Sequence, residues 1–363
     1  MKNKILFILH TPPPVHGSSV VGKAIQASQV INKAFECSYI NLGTSRTVDE
    51  IGKNPLIKTG RYLRIVFKVL KQLNANKPDL CYLALTAKGP AFYKDSLIAL
   101  LVKCFRVRMV YHFHNKGVST HQQKALDNFL YRAVFKNAHA ILLSKNLYSD
   151  IQKYIPENNV HYCPNGIPAS TASQKTKDSK NPVEILFLSN LIESKGVFVL
   201  LEACKILKQK KLAFHCTYVG GEGDVNALQF QEEVKKLGLS GQVDYLGKKY
   251  GNEKAEVFSN ADIFVHPTFE DCFPLVLLEA MQHSLPTIST FEGGIKSIVD
   301  DGKTGFLVPQ NDAQALAEKL EILIKNTALR QKMGDAGRKK YEQEFTLTKF
   351  EKRLKRILIE ITE

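Results

Sequence analysis

Short apolar runs alternate with longer segments of helical periodicity along the whole chain. In the first half these runs predict strands at residues 4–9, 37–42, 80–85, 107–113, 140–144 and 160–163. In the second half they predict strands at residues 183–189, 214–219, 243–246, 263–265 and 286–289. Strands that alternate with helices are typical of a parallel sheet covered on both faces. The pattern therefore predicts an α/β fold in two halves.

A polar, helix-poor segment at residues 171–182 separates the two halves and predicts a linker. The domains expected on either side are 1–170 and 183–345. Residues 346–363 follow as a basic amphipathic helix. A length of 363 residues suits two hydrophobic cores better than one.

The stretch around Asp271 carries the densest chemistry. A buried strand ends near Val265, a polar loop follows, and Pro274 suits the first turn of an apolar helix. A strand, a loop and a helix N-terminus together form an anion site, for which phosphate is a suitable ligand. Glu279 lies inside the apolar helix, where a carboxylate requires a fixed partner. The alternative is an ordinary helix cap with Glu279 neutralised by a nearby Lys.

Positive charge is concentrated in the first half. The chain has a net charge of +15, and residues 1–180 alone carry +17. Such a surface attracts nucleic acid, an anionic membrane or a phosphorylated substrate. The segment 58–73 is a basic amphipathic helix that fits either a membrane surface or the solvated side of a helix covering the sheet.

The cysteines and the N-terminus indicate a cytoplasmic protein. The seven Cys are odd in number and show no C-x-x-C spacing, which predicts reduced thiols. The apolar run at residues 5–9 is too short for a signal-peptide core. No apolar run approaches the length of a membrane-spanning helix.

Two loops of the first half follow predicted strands. Gly17, in the loop 11–19, permits close approach of a phosphate or sugar, although a plain turn explains it equally well. Alternation places His112 and His114 on one face of the fourth strand. No further ligand completes a zinc site there. His114 is either a cleft residue or a hydrogen-bonded core histidine.

The segment from Asp271 to Glu279, Asp-Cys-Phe-Pro-Leu-Val-Leu-Leu-Glu, resembles the motif of two acids separated by seven residues in retaining family 4 glycosyltransferases. That family has Glu at the first position, where this chain has Asp271 preceded by Glu270. The resemblance implies the GT-B fold: two Rossmann-like domains that face each other across a cleft, with a C-terminal helix that crosses back to the first domain.

Further motifs extend the resemblance in the correct order. Lys195-Gly196 resembles the Lys-Gly pair of the family, whose Lys neutralises the donor diphosphate. Asn190 stands where the family has Arg, and Lys296 is a candidate replacement for that charge. Other matching segments are 164–168, 220–223, 243–247, 292–295 and 301–305.

The resemblance also implies roles for individual residues. Asp271, His114 and Lys195 are the expected catalytic residues, with Asp271 beside the donor sugar and His114 at its hydroxyls. Glu279 is expected to hold the ribose of the donor. The other expected donor-binding residues are Gly17, Asn190, Lys195, Gly221, Cys272, Phe273, Pro274 and Leu275. No metal or other cofactor is expected, since the chain has no Asp-x-Asp motif and cationic groups serve instead.

The implied activity is that of a retaining hexosyltransferase with a UDP-sugar as the preferred donor. The expected acceptor is lipid-linked or a surface polysaccharide, such as lipopolysaccharide or capsule. The expected location is the cytoplasm, with a peripheral contact at the inner face of the cell membrane. A GT-B nucleotide-sugar epimerase is the alternative among enzymes. A nucleic-acid binder is the alternative from another class, although no basic-aromatic binding motif is present.

Overall fold

The computed structural model describes residues 2–43, 55–169 and 182–363. The chain forms two compact units. Unit 1 contains Met1–Gly166 together with Leu347–Glu363, and unit 2 is the continuous segment Ile167–Thr346. The predicted linker at 171–182 lies outside the described residues except for Pro182.

Unit 1 is built on a six-stranded parallel sheet in the order β2-β1-β3-β4-β5-β6. Its strands are β1 Lys4–Leu9, β2 Glu36–Asn41, β3 Leu80–Leu83, β4 Arg108–His112, β5 His139–Leu142 and β6 Val160–Tyr162. Its helices before residue 166 are α1 Gly17–Ala27, α2 Gln29–Ala34, α3 Pro55–Ala75, α4 Gly89–Cys104, α5 Val118–His121 and α6 Ala125–Phe135. All six strands had been expected from the apolar runs. The inner strands β1, β3, β4 and β5 are almost entirely buried, as strands covered on both faces are.

Unit 2 contains a second six-stranded parallel sheet in the order β12-β11-β10-β7-β8-β9. Its strands are β7 Val183–Leu188, β8 Phe214–Val219, β9 Val243–Tyr245, β10 Ile263–His266, β11 Thr287–Thr290 and β12 Gly305–Val308. Its helices are α7 Val197–Gln209, α8 Ala227–Lys236, α9 Gly251–Asn260, α10 Leu275–Gln282, α11 Ile295–Ile298, α12 Ala313–Lys325 and α13 Thr327–Lys340. The edge strand β12 was not expected from the sequence.

The last helix, α14 Leu347–Thr362, belongs to unit 1. It packs against α2, and its apolar side chains Phe350, Leu354 and Leu358 are buried. At the other end of the helix, the Arg108 guanidinium donates a hydrogen bond to the Ile361 carbonyl at 2.9 Å. The expected return of the C-terminal helix to the first domain is therefore present.

Two helix starts differ from the expected ones. Helix α1 begins at Gly17, inside the loop expected at residues 11–19, because the His16 side chain caps it by accepting a hydrogen bond from the Ser19 amide. Pro274 is the N-cap of α10 and not its first helical residue, because its backbone is extended with ψ at 117°. In the part of the chain that the structure describes, no helix has the length and hydrophobicity needed to cross a bilayer.

Candidate functional site

The loops after β7 and β10 meet at the switch point of the second sheet. From β7 the chain builds outward through β8 and β9, and then returns to the other side of β7 with β10. Such a reversal leaves a crevice at the carboxyl ends of the two central strands, which is where ligands of open α/β sheets bind. The loop after β7 carries Lys195, and the loop after β10 carries Asp271.

These two side chains form an ion pair. The Lys195 Nζ lies 2.7 Å from the Asp271 Oδ2, and both side chains are about four-fifths buried. The same Nζ donates to the Glu270 carbonyl at 2.7 Å. The predicted catalytic residues Lys195 and Asp271 are therefore in direct contact, although they are far apart in sequence.

His266, the last residue of β10, lies close to the ion pair of Lys195 and Asp271. Its Nε2 is 3.5 Å from the Asp271 Oδ2, at the outer limit of hydrogen bonding, and its side chain is 2% exposed. Burial lowers the pKa of His266 and outweighs the opposing effect of Asp271. The lowered pKa favours the neutral imidazole, whose ring N–H can serve as a hydrogen-bond donor to the carboxylate.

The Asp271 carboxylate stays ionised down to low pH. Burial alone would raise its pKa, but the contact with His266 and the charge of Lys195 outweigh burial and lower the pKa to about 2. A fixed negative charge therefore stands beside a lysine ammonium at the mouth of the crevice.

Two glycines allow the surrounding loops to approach this closely. Gly196 has a φ of +82°, and a Cβ there would lie 2.2 Å from the Pro267 carbonyl oxygen. Gly293 has a φ of +48°, and a Cβ there would lie 2.4 Å from the Asp271 carbonyl oxygen. Any side chain at either position would collide with backbone, so both loops depend on glycine.

Helix α10 follows the loop after β10, so its N-terminus comes directly after the residues around Asp271. Its N-cap Pro274 makes no side-chain hydrogen bond to the first turn. The residues that lead into the helix are well packed: Cys272, Phe273 and Pro274 are buried, and Leu275 is half-buried. A helix N-terminus of this kind, with a lysine nearby, offers positive potential to an anion.

Glu279 has the fixed partner that its position demanded. The Lys254 Nζ of α9 lies 2.7 Å from the Glu279 carboxylate, and each side chain is more than one-quarter exposed. This contact agrees with the simpler interpretation, in which a Lys neutralises Glu279. It leaves the donor-binding role of Glu279 as a prediction.

Asn190 and Gly221 also form a contact. The Asn190 Oδ1 accepts a hydrogen bond from the Gly221 amide at 2.9 Å, so this side chain holds the glycine turn after β8. Gly220 lies against the residue that follows β7, since a Cβ there would be 1.8 Å from the Ser189 carbonyl oxygen. The nearest atom to a Cβ on Gly221 would be the Lys248 side chain.

The predicted residues of unit 1 lie in the segments that follow β1 and β4. Gly17 starts α1, and a Cβ there would meet nothing within 4 Å, so the conformation does not itself demand glycine. The His114 ring lies 4.2 Å from that of His112, on the shared face that alternation predicted. Burial, followed by the nearby His10 and His16, lowers the pKa of His114 to about 3.

Lys296 was a candidate for the diphosphate site; its Nζ lies 5.6 Å above the Phe291 ring, and its role stays a prediction. Two other residues near the site were not expected. His266 and Lys254 were not singled out as site residues. The abrupt end of the apolar run at Val265 could have indicated His266, whereas nothing local pairs Lys254 with Glu279. Among the described residues, no three His, Cys, Asp or Glu side chains cluster as metal ligands would.

Comparison with known proteins shows that unit 2 is similar in sequence to a family of enzymes. The profile of the family described as Glycosyl transferases group 1 matches residues 169–340. A putative colanic acid biosynthesis glycosyltransferase of Escherichia coli is 29% identical over 220 residues, which cover 57% of this chain and 53% of the relative. The amylovoran biosynthesis glycosyltransferase of Erwinia amylovora is 30% identical over 253 residues, which cover 67% of this chain and 62% of the relative. The chain thus spans less than two-thirds of either relative.

The whole fold is similar to that of solved structures. Anabaena HepE in complex with UDP aligns with a TM-score of 0.76 and 16% identity, covering 99% of this chain and all of that chain. The same Anabaena protein in complex with UDP-glucose aligns with a TM-score of 0.72 and 19% identity, covering 98% of this chain and 99% of that one. At these identities the likeness concerns the fold, which is the predicted GT-B fold with two α/β domains.

Proposed function

We propose that this chain, whose residues 169–340 match the family described as Glycosyl transferases group 1, transfers a sugar from a nucleotide diphosphate donor to an acceptor hydroxyl with retention of configuration. The observation that carries this proposal is the position of Lys195 on the loop after β7, where it contacts Asp271, just before the N-terminus of α10. The preferred donor is a UDP-sugar, which is also the class of ligand named for the Anabaena structure.

Charge develops in two places during such a transfer. As the bond between the sugar C1 and the diphosphate breaks, the phosphates gain negative charge and the sugar becomes positive, like an oxocarbenium ion. The Lys195 ammonium and the first-turn amides of α10 face the leaving phosphates. The acceptor oxygen then bonds to C1, and its proton passes to the departing phosphate.

Asp271 suits the positive half of this transition state. Its pKa of about 2 keeps the carboxylate ionised at every physiological pH, so its charge is available beside the sugar without a change in protonation. Asn190, Gly221, Cys272, Phe273 and Leu275 would surround the donor, and Glu279 would accept hydrogen bonds from the ribose hydroxyls. His114 and Gly17 are proposed as further residues that bind the donor.

The reaction is proposed to run without a metal, because Lys195 and the helix N-terminus supply the positive charge that the diphosphate needs. Activity should therefore survive an excess of EDTA. We further propose that the acceptor is lipid-linked or a growing surface polysaccharide, as the biosynthetic names of the two relatives suggest, and that the protein works at the cytoplasmic face of a membrane.

The donor role is tested by a thermal-shift screen with UDP, GDP, CMP and ADP sugars. The wild type should be stabilised by the UDP-sugar. Glu279→Gln should weaken donor binding by about ten- to a hundred-fold, because a hydrogen bond to a charged acceptor is lost.

Lys254→Met is the matched control, because it removes the ion pair and leaves the Glu279 carboxylate in place. It should respond to donor much as the wild type does. If both variants retain the full donor response, Glu279 does not bind the donor and forms only its ion pair with Lys254.

Product analysis with a labelled donor then identifies the reaction, since a new sugar without any acceptor product would indicate an epimerase.

A further inference from the structure

We propose that the outer face of helices α3, α4 and α6 in unit 1 binds the surface of an anionic lipid bilayer. This three-helix face lies entirely within unit 1 and does not depend on the donor chemistry of unit 2. Its apolar and basic side chains together identify the partner.

The three helices lie side by side on one face of the first sheet. In the strand order β2-β1-β3-β4-β5-β6, the connections through α3, α4 and α6 all run in the same direction. Right-handed crossovers therefore place these helices on the same side. Direct contacts agree: the Tyr62 hydroxyl of α3 donates to the Lys94 carbonyl of α4 at 2.7 Å. The Phe92 ring of α4 lies 4.5 Å from the Tyr131 ring of α6.

Each helix presents two large apolar side chains to solvent. The exposed fractions are 61% for Leu63 and 68% for Phe67 on α3, 39% for Tyr93 and 54% for Leu97 on α4, and 58% for Leu126 and 67% for Phe129 on α6. Single exposed apolar residues are ordinary on protein surfaces. Their recurrence on three adjacent helices marks an interaction surface.

The exposed charge on these helices is positive. Arg64, Lys68 and Lys71 are exposed on α3, a helix whose sequence contains no Asp or Glu. The acidic residues of the other two helices are Asp95 on α4 and Asp127 on α6, and both are buried. The outer face therefore presents lysine and arginine among leucine and phenylalanine, with no carboxylate to offset them in these helices.

An anionic bilayer satisfies both features at once. Leucine and phenylalanine side chains enter the boundary between headgroups and acyl chains, while lysine and arginine meet the lipid phosphates. A second copy of the chain fits poorly, because two such faces would repel each other. A nucleic acid would pair with the charges but leave the apolar side chains in water.

The test is sedimentation of the full chain with vesicles at about 0.1 M salt, where surface charges still act over about 10 Å. Vesicles of phosphatidylcholine alone are compared with vesicles that contain about equal parts of phosphatidylglycerol. The protein should bind only the anionic vesicles. The double variant L63S/F67S should weaken that binding by at least about ten-fold, because it removes two inserted side chains. The triple variant R64Q/K68Q/K71Q should weaken it by about five-fold per charge.

Matched controls lie on α8 of unit 2. Leu228 is 66% exposed and Lys235 is exposed, so Leu228→Ser and Lys235→Gln make the same chemical changes away from the face and should leave binding unchanged. Phe129→Ser, on α6, repeats the test on another helix in case the α3 variants fold poorly. The proposal is overturned if the wild type ignores anionic vesicles, which would leave an acidic protein as the partner of this face. It is also overturned if the apolar variants bind as the wild type does, or if the controls lose binding equally.

Discussion

The charge of Asp271 should stabilise unit 2 in a pH-dependent way. The pKa of this carboxyl is lowered from 3.8 to about 2, which corresponds to about 2 kcal/mol of folding free energy. The side chain is 19% exposed, so solvent screening removes little of that effect. For an acid with a lowered pKa, this stabilisation is complete above the ordinary pKa and disappears as the pH falls through the lowered value.

Asp271→Asn is the perturbation that isolates this effect, because it keeps the shape of the side chain and removes the charge. Lys195 retains the Glu270 carbonyl as an acceptor, so the variant does not leave the ammonium without a partner. At pH 5 and above, the variant should be less stable than the wild type by about 2 kcal/mol. For a segment the size of unit 2, that difference corresponds to about 4–8 °C in Tm.

Scanning calorimetry at pH 7, 5, 4 and 3 measures the difference. The gap between the two proteins should be constant from pH 7 to pH 5 and should narrow from about pH 4 downward. Lys195→Met should also destabilise the wild type, but should have a smaller effect in the Asp271→Asn background, because the two side chains interact directly. A gap that is absent at pH 7, or one that stays the same down to pH 3, would refute the electrostatic account.

Two further predictions concern glycine and cysteine. Gly196→Ala should destabilise unit 2 by about 3 kcal/mol, because the new Cβ meets the Pro267 carbonyl oxygen. Gly238 is the control, because its φ is +68° but a Cβ there would have no atom within 4 Å. Gly238→Ala should therefore cost only about 1 kcal/mol in the same calorimetric measurement. Equal losses would show that backbone strain alone matters. Cys104 is exposed and should react first with a thiol reagent at pH 8, whereas burial raises the pKa of Cys163 to about 12 and should keep it unreactive. A fast phase that persists in Cys104→Ser would contradict this order.

The central strands of both sheets were predictable because parallel strands that are buried on both faces appear as continuous apolar runs. Strand β12 escaped prediction because it is four residues long, begins at Gly305 and lies at the sheet edge. The start of α1 escaped because His16 is an unusual capping residue. Local pattern therefore identifies buried elements better than it identifies edges and caps.

The candidate site was predictable in its residues but not in its contacts. The spacing and resemblance of the motifs singled out Lys195, Asp271 and Glu279. Their partners depend on long-range packing: Lys195 meets Asp271 because β7 and β10 are neighbours in the sheet, and Lys254 reaches Glu279 from a preceding helix. His266 was missed because a polar residue at the end of a buried strand looks like the beginning of a loop.

The return of α14 to unit 1 determines when that unit can be completed during synthesis. Residues up to Gly166 leave the ribosome about 180 residues before Leu347. At about 5–20 residues per second, this delay is on the order of ten seconds or more. Throughout that time α2 lacks the helix that covers it, while unit 2 is made as one continuous segment. The N-terminal unit is thus the first to be translated and the last to acquire all of its parts.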